Sequence, residues 1–171
     1  MDAGKHRVAL LDSRWSAPLS FPLAVQENMI EIENIHLLID RFGRWPSFHD
    51  AEVVRARFER EGEDAPFLES DIYVFEMTQD VDAKGRYVLK NHTLVTFRFC
   101  DIELEYFNSW NTQNVLFALD ISSQKTDGDE DENRRIHIEM PSSYGCEAKL
   151  SCSAVRIIKA ENYFKDQPTR R

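Results

Sequence analysis

His49 and Asp50 stand side by side in the stretch Trp45-Pro46-Ser47-Phe48-His49-Asp50-Ala51-Glu52-Val53-Val54, the densest group of chemically able side chains in the sequence. An imidazole next to a carboxylate can move protons or supply two ligands to a metal ion. A metal-assisted hydrolase built on His49 and Asp50 needs further ligands from other elements, and the chain offers one clear helix. In an extended strand the two side chains point to opposite faces, whereas a turn brings them closer. The plainer reading is that Asp50 hydrogen-bonds locally and His49 packs on Trp45 or Phe48. A third reading makes the pair, with Trp45 and Glu52, a contact surface for a partner.

The acidic stretch Asp127-Gly128-Asp129-Glu130-Asp131-Glu132 is the second candidate. Its glycine stands too early for a calcium loop, and the twelfth position is Ile138, where a bidentate Glu is required. It reads as a solvated tip, or as a contact through Asp127, Asp129, Glu130 and Asp131 for a basic partner. The six glycines are scattered, so no phosphate-cradling loop exists. Ser142 and Ser143 lack the context of a nucleophile elbow. Cys100, Cys146 and Cys152 lie in apolar alternating patterns without metal-ligand spacing and read as reduced and buried. No catalytic residue, resident metal or cofactor is implied, and a binding protein is favoured over an enzyme.

These residues are placed by two kinds of periodicity. Ile32, Ile35, Ile39 and Phe42 recur at helical spacing, which predicts a helix over about 28–42 with Asn28 as its cap and Gly43 ending it. Pro46 biases Trp45 toward an extended conformation. Ser47 and Asp50 have the spacing of a short capping box, so 48–51 is expected to make one turn. From Glu52 the period becomes two. Strands are expected near 52–58, 70–77, 88–99, 102–106, 115–121, 136–140 and 148–158, with 141–145 as a hairpin connection. The joints are too short for parallel crossovers. The expectation is therefore α+β: one N-terminal helix packed on a mainly antiparallel sheet of six or more strands, forming a single domain over 1–171. Residues 1–25, broken by Pro18 and Pro22, are expected to be irregular, and 165–171 a frayed tail.

Lys and Arg total 21 against 30 Asp and Glu, a formal net charge of -9. That field repels phosphate backbones and anionic membranes and attracts basic proteins. Nucleic acid and membrane are thus not expected partners. No stretch approaches the roughly 20 apolar residues of a membrane span. Met1 to Leu11 lacks the apolar core of a signal peptide, so a cytoplasmic location is expected.

Four segments then carry a resemblance. Trp45 to Val53 is similar to the opening motif of the immunity protein 50 family of bacterial polymorphic toxin systems. In the same order follow Val95-Thr96-Phe97-Arg98-Phe99 leading into Ile102-Glu103-Leu104, then Phe107-Asn108 with Gln113-Asn114-Val115-Leu116. Last comes Ser142-Ser143-Tyr144-Gly145 before a strand bearing Cys152. Ser109 to Thr112 reads as an insertion in this pattern. The resemblance implies a protein that binds and neutralises a cognate toxin. The acidic balance fits a basic toxin such as a nuclease. A metal-assisted hydrolase using His49 and Asp50, and an interaction domain with no toxin partner, are the alternatives.

Overall fold

The computed structural model describes residues 30–123 and 135–163. Among them the chain runs β1 (Ile32–Glu33), α1 (His36–Phe42), β2 (Glu52–Glu59), β3 (Phe67–Val81), β4 (Tyr87–Cys100), β5 (Glu103–Asn108), β6 (Val115–Leu116), β7 (Asp120–Ser123), β8 (Ile136–Met140), β9 (Ser142–Tyr144), β10 (Glu147–Cys152) and β11 (Ala154–Asn162). Seven strands form one sheet in the order β1-β11-β4-β3-β2-β6-β9; four form a second, β5-β10-β8-β7. All pairings are antiparallel except β1 with β11. The antiparallel pattern was legible from the short joints.

The expected α+β arrangement is overturned. The described residues are 60% strand and 6% helix, in two sheets rather than one long helix on a single sheet. The helix begins at His36, not near 28. Ile32 and Glu33 instead pair with Val155 and Arg156 of β11. Asn34 takes a left-handed φ of 62° and its Nδ2 donates to Ile157 O. A residue in that conformation cannot continue a helix from before it. Ile32 and Ile35 are both buried, so their helical spacing is satisfied by a strand followed by a turn. The C-terminal end matches expectation: Gly43 sits at φ 70° and its N–H donates to Ile39 O.

Two continuous alternations also divide. Val115 to Ile121 separates into β6 in the large sheet and β7 in the small one. Ala148 to Ile158 separates at Ser153 into β10 and β11, again in different sheets. The connection expected over 141–145 contains β9, which pairs with β6. Alternation survives these changes because both sheets turn an apolar face to one shared core. Val53, Leu68, Ile72, Val95, Phe97, Val155 and Ile157 of the large sheet meet Ile136, Ile138, Met140, Leu150 and Cys152 of the small one. Leu38 of α1 and Phe48 complete the cluster. In β2 a register shift between Val53 and Arg55 leaves Val53 buried and Val54 exposed, so the simple alternation read there is broken by a bulge.

The opposite face of the large sheet is charged. In cross-strand register stand Arg57, Glu69, Arg98, Arg156 and Glu33. Arg57 and Arg98 both donate to Glu69, at 3.0 and 3.1 Å. Asp64, on the β2–β3 connection, pairs with both Arg98 and Arg156, bridging two like charges that face each other in register. The next row holds Arg55, Asp71 and Thr96, with Arg55 Nε and Thr96 Oγ1 each 2.6 Å from the Asp71 carboxylate. The Glu69 and Asp71 side chains are only 9% and 12% exposed. Burial alone pushes both carboxyls up. Hydrogen bonds from Arg98 and Arg57 to Glu69, and from Arg55 and Thr96 to Asp71, outweigh it and hold both below their ordinary values of 4.5 and 3.8.

Groups whose pKa is depressed by folding add stability above the unfolded value, and that stability is lost as pH falls through the folded one. The protein should therefore lose melting temperature from about pH 4.5 downward, the ordinary value of the Glu69 group. Asp71→Asn should be less stable than the parent at neutral pH, and the gap should narrow toward about pH 3. Calorimetric melts of both proteins across that range check it. Parallel curves for the two would show that Asp71 does not contribute through its charge.

Candidate functional site

The stretch from Trp45 to Glu52 leaves the end of α1 and enters β2, with one side fixed to the core and the other free. Pro46, Phe48 and Ala51 are buried, while Ser47 and His49 between them are exposed. Trp45 and Phe48 pack on each other at 5.4 Å between ring centroids and on Phe97 at 6.2 and 5.8 Å. Trp45 is half-buried and belongs to the wall of the core. The backbone then turns: Ala51 N–H donates to Phe48 O, and the Ser47 hydroxyl accepts from His49 N–H. Asp50 adopts a φ of 64°, a left-handed conformation that Asp tolerates better than most residues.

That turn brings the two candidate side chains together. His49 Nδ1 lies 3.1 Å from Asp50 Oδ2, with the side chains 54% and 41% exposed. The His49 ring also meets Phe117 edge-on at 5.3 Å, and Phe117 is 58% exposed. Glu52 is half-buried at the start of β2, with Tyr73 and Val115 as its register partners. Asp127, Asp129, Glu130 and Asp131 lie outside the described residues. Of the sequence candidates, the fold therefore unites His49 and Asp50, assigns Trp45 to packing, and puts Glu52 on the strand that follows.

A pocket of about 210 Å³ opens beside the pair. It is lined by apolar Phe42, Pro46, Phe75 and Met77 and by polar Arg44, Ser47, His49, Asp50 and Glu76. Phe75, Glu76 and Met77 escaped sequence reading because they come from the far part of β3, which runs on to Val81. In the sequence Met77 only closes an alternating run; the fold leaves it half exposed. Among the described residues, no three His, Cys, Asp or Glu side chains are grouped to hold a metal ion. His49 and Asp50 would bring two ligands to one. The three cysteines are buried thiols, as expected. Burial pushes Cys146 up to about 11 and Cys152 up to about 12, which keeps both protonated and unreactive.

The stretch from Trp45 to Glu52, the hinge between α1 and β2, is held from its far side by a joint of backbone and one amide. Asp50 N–H donates to Leu116 O, Leu116 N–H to Ala51 O, and Val53 N–H to Asn114 O. The buried Asn114 side chain accepts from Asn111 N–H at 2.9 Å and Cys146 N–H at 3.1 Å, and donates to Asn111 O at 2.9 Å. Gly145 lies against it: a Cβ there would come within 2.3 Å of Gln113 O. Parts of all four similar segments thus converge on one place. Trp45 to Val53 is stitched to 113–116, braced by 142–145 and packed on Phe97.

The family model described as Immunity protein 50 matches residues 30–163. The chain belongs to the immunity protein 50 family. Membership points to an immunity role, to a toxin as partner and to a function without catalysis. No curated protein and no solved structure matches this chain. No helix among the described residues of this immunity protein 50 member is long and apolar enough to cross a membrane.

Proposed function

We propose that this protein acts in the cytoplasm by binding a cognate toxin domain and blocking it, and that the toxin is basic, with a cationic nuclease as the leading class. Family membership over residues 30–163 carries the reading. The net charge of -9 supports a basic partner, since opposite fields steer association and exclude wrong partners. The exposed side of the hinge supports the location. His49, Asp50 and Phe117 combine a charge, an ionisable ring and an aromatic face on backbone fixed to β6, so little ordering is needed on binding.

Protection in cells tests the proposal. A candidate cognate toxin is co-expressed with parent protein or with Asp50→Asn, which removes the charge while tolerating the left-handed φ. Truncating a charged contact that is buried in a complex costs about 2–5 kcal/mol, more than tenfold in affinity. Asp50→Asn should melt like the parent, because its side chain is 41% exposed, yet protect at least tenfold less well. Equal protection by the two would move the interface away from the hinge.

A further inference from the structure

The pocket beside His49 and Asp50 is too small for a typical ligand site, which spans about 300–1,000 Å³, and its 210 Å³ suits one long side chain. Its lining mixes two kinds of side chain. Phe42, Pro46, Phe75 and Met77 offer apolar surface suited to a methylene stem. Asp50 and Glu76 offer carboxylates, and Arg44 is the one permanent cation among the lining residues. Two carboxylates thus stand against one guanidinium in the lining. Glu76 is positioned rather than free to swing: its Oε2 accepts from Asn91 Nδ2 at 2.9 Å. Asn91 holds a left-handed φ of 52° in β4, so the hydrogen-bond donor comes from a defined bend.

We infer that this pocket is a socket for one cationic side chain, lysine or arginine, projecting from the toxin. The inference rests on the toxin-binding reading and adds to it the chemistry of the group inserted. The stem lies along Phe42, Phe75 and Met77, and the head meets Asp50 and Glu76. Arg44 at the same pocket offsets part of that negative charge. An aromatic or Arg anchor seated in a pocket is the usual form of an interface hot spot.

The test is titration calorimetry of the purified toxin domain into parent protein, Glu76→Gln and Glu76→Arg, with a melt of each. Glu76→Gln keeps an acceptor for Asn91 and removes the charge, so it stays informative if Glu76→Arg unfolds. The expected result is at least tenfold weaker binding for Glu76→Gln and a larger loss for Glu76→Arg. One Lys→Glu or Arg→Glu substitution on the toxin should weaken binding to the parent and regain at least tenfold when paired with Glu76→Arg. Parent-like binding by both Glu76 variants overturns the socket while leaving the immunity reading intact. Tighter binding by Glu76→Arg also overturns it, by showing that an acidic group enters beside Arg44. A toxin that does not bind the parent removes the socket together with the reading beneath it.

Discussion

Asn114→Ala should lower the melting temperature by roughly 5–15 °C, at about 2–4 °C per kcal/mol for a chain of this size. Asn114 is 3% exposed, and its amide is oriented by its surroundings. Oδ1 faces two N–H donors, Asn111 and Cys146; Nδ2 faces the carbonyls of Asn111 and Val53. Alanine removes all of these partners. Asn111 is exposed and its N–H can turn to water, but Cys146 is wholly buried. A buried donor left unsatisfied costs about 1–3 kcal/mol. Adding the weaker losses gives roughly 2–4 kcal/mol. Asn114→Asp should recover little, because a second oxygen would face the two carbonyls that Nδ2 now serves. Thermal melts of the two variants decide this. An alanine variant within about 2 °C of the parent would mean that the amide is not the tie described.

Gly145→Ala should be as damaging for a different reason. Gly145 has φ 82°, where an L side chain is strained by about 1–2 kcal/mol. The added Cβ would also meet Gln113 O at 2.3 Å and Asn114 Oδ1 at 2.8 Å. The first contact is backbone and cannot swing away, so the chain must shift, at a further cost of about 1–3 kcal/mol. The total is about 2–5 kcal/mol. Gly85, also at positive φ but with open space around it, is the control. Gly85→Ala should lose only the strain, about 1–2 kcal/mol. Similar melting temperatures for the two variants would remove packing against Gln113 from the explanation.

The contrast between these glycines shows what was legible before the fold was known. Gly43 could be placed as a helix cap because the apolar stripe stops beside it. Gly145 could be placed in a connection, but not against Asn114, because that contact depends on two segments meeting across the joint. The strand starts at Glu52 and Ile136 were legible because charge and turn residues bound them. The start of α1 was not, since Ile32 is drawn into a strand by a partner at the far end of the sequence. Sheet membership was hidden for a related reason: alternating residues satisfy either sheet when both face one core. At the site, His49 and Asp50 stood out by residue type, while Phe75, Glu76 and Met77 reach the pocket only through the length of β3. The resemblance also gains a physical meaning. Parts of its four segments meet at the joint, so some of what they specify is the support of the hinge, with His49, Asp50 and Tyr144 among their solvent-facing side chains.

The most direct measurement is the affinity of the purified protein for a candidate toxin domain, taken at low and at physiological ionic strength. Charge steering between an acidic protein and a basic partner is screened over about 8 Å at physiological salt. The expected result is a tight complex at low salt that weakens as salt is added, in step with loss of inhibition of the toxin. Absence of a complex at low salt would contradict it.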